Sequence, residues 1–320
     1  MKNVILIILI VLVVFSCNRD HQSEQEIDKI PMNVKIERFD KMFSNVNLDN
    51  LPKLKQEYPF MFSKKYTDSF WIARTKDTLQ IKLLNEVLKV FPEMNKEEND
   101  INSLFKHIKF YFPEFSPPRV ITTTSFIDYR NRIIVTDTIA LISIDSYLGS
   151  DHEFYGGIQK YIKEDFKRDH IVVDLATEYA NKYIYQKQNK TLLDEMIYFG
   201  KQLYFKDKVI PFKTEAERIG YTEAQLDWAH VNESYIWRYF VERELLFSTD
   251  SKLPSRFINP APFTKFYLEE IDSESPGRLG QYMGWQIVKA YMQNNKISLK
   301  EMLITSPEEI FNNSKFKPNK

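Results

Sequence analysis

A single cysteine, Cys17, occurs in the 320 residues, and it stands just after an apolar run from Val4 to Phe15. No intrachain disulfide is possible, so whatever folds after it must be held by its own hydrophobic core. Lys2, the apolar run and Ser16 give the charged, apolar, small-residue order of an export signal. The run falls short of the roughly 20 residues that a helix rising about 1.5 Å per residue needs to cross a bilayer core.

The Ser16-Cys17 junction resembles the lipobox of bacterial lipoproteins, in which the thiol takes up a diacylglyceryl group and becomes the new N-terminus. Val14 stands where leucine is usual. The expectation is a signal peptide over 1–16, lipidation at Cys17, and lasting attachment to a membrane through more than one acyl chain. Residues 18–30 are polar and aperiodic, which gives a lipidated tether over 17–30. One globular domain, in one lobe or two closely packed ones, is then expected over 31–320.

Basic and acidic side chains balance at 44 each, and loss of Lys2 with the signal leaves a net charge near −1. No basic stripe stands out, so nucleic acid is not an expected partner. Only 8 glycines occur, and neither GxGxxG nor a Walker A sequence is present, which counts against nucleotide folds built on Gly-rich loops. No cofactor is expected.

Apolar residues near helical spacing predict helices over 67–90 and 97–111, each ending at a proline, Pro92 or Pro113. Arg119–Thr124, Arg132–Thr136 and Ala140–Asp145 are short, β-branched and separated by polar turns, which reads as a small antiparallel sheet. Helices are predicted again near 155–166, 171–187, 191–204, 222–247 and 278–294, with an irregular Pro-rich stretch, Leu253–Pro262, between the last two. The expected class is α+β, mainly α-helical with one small antiparallel sheet, in a degenerate zincin-like order of elements. Gly280 and Gly284, four apart, permit a close helix crossing.

HExxH, the pattern that sets two imidazoles one helical turn apart for zinc, is absent, and none of the five histidines has another four residues away. On 171–187 the apolar Val172, Leu175, Ala176, Tyr179 and Tyr183 share one face, with Asp174 and Glu178 one turn apart on the other. Joined by Glu233 from 222–247, these carboxylates form the candidate cleft, an acidic cluster able to hold a hard cation. The competing account is a solvated face with Glu178 and Lys182 as an i,i+4 pair. Ser150-Asp151-His152-Glu153 cannot form a catalytic triad, because adjacent residues do not converge, and it reads as a loop. The abundant aromatics fit a sugar or peptide groove, although most suit the core.

Whole segments, RVITTTSFIDYRNRIIVTDTIALISIDSYLG (119–149), FYGG (154–157), ERIGYTEAQLDWAHVNESYIWRYFVERELLFSTD (217–250) and SPGRLGQYMGWQIVKAYM (275–292), resemble the gliding motility lipoprotein B (GldB) family of the Bacteroidota. That family is distantly similar to zinc-dependent proteases that carry HExxH on the helix corresponding to 171–187 and a glutamate on the one corresponding to 222–247. Here Asp174-Leu175-Ala176-Thr177-Glu178 replaces the histidine motif and only Glu233 matches in type. The resemblance implies a pseudo-peptidase with no catalytic residues and no bound metal. It further implies a lipid-anchored periplasmic part of the gliding apparatus, whose partners are the membrane and other gliding motility or type IX secretion components. A metal-dependent hydrolase with carboxylate ligands and a cell-wall or carbohydrate-binding lipoprotein are the alternatives. Asp77-Thr78-Leu79 and Asp137-Thr138-Ile139 resemble O-glycosylation sites of this phylum.

Overall fold

The computed structural model describes residues 23–187 and 190–319, so the expected export signal over 1–16 and Cys17 lie outside the described residues. A four-stranded sheet, β1 (Ile36–Arg38), β2 (Arg119–Thr123), β3 (Ile133–Val135) and β4 (Ile139–Ser143), runs in the order β1-β2-β4-β3. Helices are the main other element, and the chain is α+β and mainly helical. The sheet is mixed rather than antiparallel: β3 and β4 form the expected antiparallel pair, while β1 and β4 both run parallel to β2. The loop after β2 carries the chain past β4's position to the outer edge. The Thr136-Asp137-Thr138 turn then brings β4 back between β2 and β3, so short spacing alone did not fix the strand directions.

Strand alternation gives each face its own core. Val120, Ala140 and Ile142 enter the main core, whereas Ile121, Ile139 and Leu141 pack against a separate aromatic cluster of Phe39, Phe43, Tyr58 and Phe62. That cluster belongs to a small lobe built from the short helices Phe39–Ser44, Leu51–Glu57 and Asp68–Thr75. The main body holds α1 (Thr78–Val90), α2 (Asn95–Tyr111), α3 (Ile171–Tyr183), α4 (Leu192–Val209), α5 (Glu223–Val231), α6 (Glu233–Glu242), α7 (Leu279–Asn294) and α8 (Pro307–Ser314).

Several boundaries follow from caps. The helix expected over 67–90 divides where the Asp77 carboxylate caps α1 by accepting from the Gln80 N–H at 2.9 Å. The one expected over 222–247 breaks at Asn232, whose side-chain amide donates to the Trp228 carbonyl at 2.9 Å and so competes with the helical ladder. Over 155–166 only the turn Lys160–Lys163 is α-helical. Residues 23–28, read from sequence as tether, are helical, with Ile27 buried and the Asp28 carbonyl accepting from Lys106 on α2 at 3.1 Å.

The closest backbone approach joins α4 and α7. A Cβ on Gly284 would lie 1.7 Å from the Met196 carbonyl oxygen, and one on Gly200 would lie 2.3 Å from that of Gly284. Glycine is obligatory at this crossing, and α7 is thereby locked against α4.

Candidate functional site

α3 presents two different faces. Ile171, Val172, Val173, Leu175, Ala176, Tyr179 and Ala180 are buried in the main core. On the other face Asp174, Thr177 and Glu178 form one wall of a cleft of about 800 Å³ rather than a solvated surface. Tyr129, Arg130, Arg132 and Ile133 form the opposite wall, with Tyr161, Ile162, Asp165 and Phe166, then Asn259, Pro260 and Arg278, closing the ends.

The wall before β3 is held by an unusual loop. Phe126 and Ile127 both sit at positive φ, 57° and 62°, a region costly for a β-branched isoleucine. The fully buried Asp145 holds them there, its carboxylate accepting from the Ser125 and Ile127 N–H groups at 3.0 and 2.8 Å. Burial nonetheless raises the Asp145 pKa, the hydrogen bonds offsetting only part of the effect.

In the cleft Arg132 grips Asp174 through one edge of its guanidinium, Nη2 to Oδ1 and Nε to Oδ2, each at 2.8 Å. The Tyr147 hydroxyl donates to Oδ2 at 2.8 Å, and the Arg132 guanidinium packs on the Tyr147 and Phe166 rings at 5.6 and 5.2 Å. Burial alone would lower the Arg132 pKa, but the Asp174 carboxylate reverses the direction and holds it above the ordinary value. Burial, then the same carboxylate, pushes the Tyr147 hydroxyl far up.

His170 heads α3, with Nε2 at 3.2 Å from Asp165 Oδ1 and its buried Nδ1 without a hydrogen-bond partner among the described residues. Burial drives its pKa down to about 3, so the ring is neutral. Lys206 on α4 donates to the Arg218 carbonyl at 3.0 Å, and burial lowers its pKa to about 8. Arg278, at φ 62°, donates to the Gly220 carbonyl and lies 5.4 Å from the Tyr221 ring. Glu178 is raised by burial, against a hydrogen bond from Asn181 and with the Asp174 charge adding to the rise. Its expected partner Lys182 pairs instead with Asp137 in the β3–β4 turn.

Asp174 and Glu178 thus share the cleft, but Glu233 does not join them. It is buried at the start of α6, accepting from the Tyr282 hydroxyl at 2.7 Å and from the Asn319 N–H and side-chain amide at 3.0 and 3.2 Å. Among the described residues no group of three or more His, Cys, Asp or Glu side chains is placed to hold a metal ion. The donors do not fit a zinc ion either: Asp174 is filled by a guanidinium and a phenol, and His170 lies outside any HExxH pattern. Sequence reasoning missed Arg132, Tyr147, Asp165, His170, Lys206 and Arg278. The signals were present in Arg132, a cation opening an Ile-Ile-Val strand, and in Arg278, which stands at a helix N-cap where small polar residues are usual.

A second groove, of about 650 Å³, lies along α6, lined by Trp228, Tyr235, Tyr239 and Phe266 together with Asn232 and Glu242. His152 caps a short turn in a loop, as its sequence context implied.

Fold and cleft define a class: a mainly helical α+β domain with a charged cleft of about 800 Å³ that holds the Arg132–Asp174 ion pair. The family model described as gliding motility protein GldB matches residues 20–318, and the chain belongs to that family. No curated protein and no solved structure matches the chain significantly. Among the described residues no helix is long and apolar enough to cross a membrane.

Proposed function

We propose that the protein is a non-catalytic lipoprotein of the gliding motility machinery, anchored through Cys17, facing the periplasm and working through protein contacts in the cleft between β3 and α3. The observation that carries this reading is the saturation of Asp174. A carboxylate gripped by Arg132 and Tyr147 cannot ligate a metal without first displacing a largely buried guanidinium, which is costly. What stays available on the walls is Arg130, Tyr129, Tyr161 and Asn259, polar groups suited to a polypeptide. β3 lies at the sheet edge beside them, and edge strands accept extended segments.

Thr177→Arg, placed on the cleft wall outside the ion-pair network, tests the reading. The variant is expected to fold, to remain in the membrane fraction and to abolish gliding; normal gliding would remove the cleft from the mechanism. Chelator-sensitive peptide cleavage by the purified chain would overturn the non-catalytic part. Lipidation is checked separately by labelled palmitate, expected in the wild type and absent from Cys17→Ser.

The α6 groove supports a second reading, attachment to cell-wall glycan, because Trp228, Tyr235 and Tyr239 offer ring faces beside Asn232 and Glu242. Co-sedimentation with isolated cell wall, lost on Tyr235→Ala, is the expected result there; no co-sedimentation ends that reading.

A further inference from the structure

The small lobe on the outer face of the sheet carries an aromatic and basic cap that nothing in the domain uses. Phe60, Tyr66 and Phe70 are 45%, 47% and 37% exposed, although each leans on the lobe's own cluster. Tyr66 stacks on Phe70 at 4.1 Å, Phe70 meets Trp71 at 5.2 Å, and Phe60 meets Tyr58 at 6.2 Å. Every residue from 63 to 70 is exposed. Over 53–76 the chain carries six basic residues against two acidic ones, whereas the whole sequence balances at 44 of each, so the remainder holds a net −4. Both acids of the segment are taken, Glu57 by Lys53 and Asp68 by Lys55, leaving Lys64 and Lys65 without an ion-pair partner among the described residues.

We propose that this lobe is a headgroup-binding surface that lays the domain on an anionic bilayer. Exposed tyrosine and phenylalanine rings interleaved with free lysines match the interface of such a membrane, where rings sit at headgroup level and lysines meet lipid phosphate. The charge separation orients the approach: the positive lobe turns toward the surface and the negative remainder away.

Chain geometry agrees with this. Before the lobe, residues 23–38 run as a strap along α2, from Lys106 and His107, past Asn102, to Glu98. That course covers about 13 Å of helix. Six Cα-to-Cα steps separate Ser23 from Cys17 and reach roughly 20 Å when extended, enough for the lobe to touch headgroups while the strap's start stands above them. This geometry rests on the anchored reading, but the surface chemistry does not, and the test keeps them apart.

The mature chain from residue 17, carrying Cys17→Ser so that no acyl chain contributes, is sedimented with vesicles of phosphatidylethanolamine and phosphatidylglycerol at 7:3 and with pure phosphatidylcholine vesicles. Binding is expected to the first, weakening with salt, and not to the second. Lys64→Glu with Lys65→Glu is expected to weaken it at least about 25-fold. Tyr66→Ser with Phe70→Ser, its fold checked by circular dichroism, is expected to weaken it as well. Lys160→Glu with Lys296→Glu, the same charge change on exposed residues elsewhere, should cost less than about 3-fold. Absence of binding to the anionic vesicles, equal binding to neutral ones, or an equal loss in the charge-matched control would overturn the proposal.

Discussion

Asp174 and Glu233 begin from the same sequence signal, an acidic residue on a helix, and each accepts a tyrosine hydroxyl, at 2.8 and 2.7 Å. They end in different surroundings. Asp174 takes its remaining bonds from the guanidinium of Arg132 at the foot of an open cleft. Glu233 takes them from Asn319 and lies sealed under the C-terminal segment, only 1% exposed. What a carboxylate does is therefore decided by the donor that reaches it from far along the chain. One of these residues shapes a cleft wall, and the other works as a latch.

Breaking the latch should have the largest effect. Glu233→Ala strips Tyr282 of its acceptor and frees Asn319, and it is expected to cost about 3 kcal/mol in urea unfolding. Limited proteolysis should at the same time open residues 315–319. If Asp174→Ala costs more and leaves the tail protected, the two roles are reversed.

Acid should separate the two sites next. His170 is buried beside Asp165 of the cleft, with its pKa depressed from 6.5 to about 3. Between those values the unfolded chain binds the proton and the native chain does not. Its contribution is therefore full above pH 6.5 and is lost as pH falls toward 3. From pH 7.5 to 5 the wild type should lose about 2 kcal/mol more than His170→Gln. Parallel pH curves for the two proteins would show that the ring is not held neutral.

Asp174→Asn should have the smallest effect on stability, about 1.5 kcal/mol, since shape and the Tyr147 bond persist while the charge opposite Arg132 goes. Its effect on gliding should exceed its effect on stability, whereas for Glu233→Gln the two should track each other. Equal tracking at both positions would dissolve the distinction.

The fold class was legible because helical periodicity is local. α2, α3 and α7 fall close to their predicted spans, and α3 shows the predicted apolar face. The course of the sheet was not legible, since parallel pairing of β2 with β4 depends on the path of the loop that Asp145 pins. β1 was missed because its three residues, Ile36-Glu37-Arg38, are too few to show alternation. At the site, sequence put Asp174 and Glu178 on one face, but what that face meets arrives from Arg132, Asp165 and Arg278, and no local pattern records such meetings. The helix crossing was half visible. Gly284 was readable from its spacing to Gly280, whereas its true counterpart, Gly200, lies on another helix as a lone glycine.

The strap along α2 also has a mechanical meaning. A pull on the N-terminus enters the body through residues 23–38, then through β1, whose parallel bonds to β2 lie side by side. A load directed along the strap shears the Val34–Asn102, Ile36–Glu98 and β1–β2 bonds together, so they share it. A load directed away from α2 peels them one after another, beginning near Glu24 and Lys106. The same attachment is therefore stiff in one direction and compliant in the other, which makes the strap a direction-sensitive coupling between the body and any force applied before residue 23.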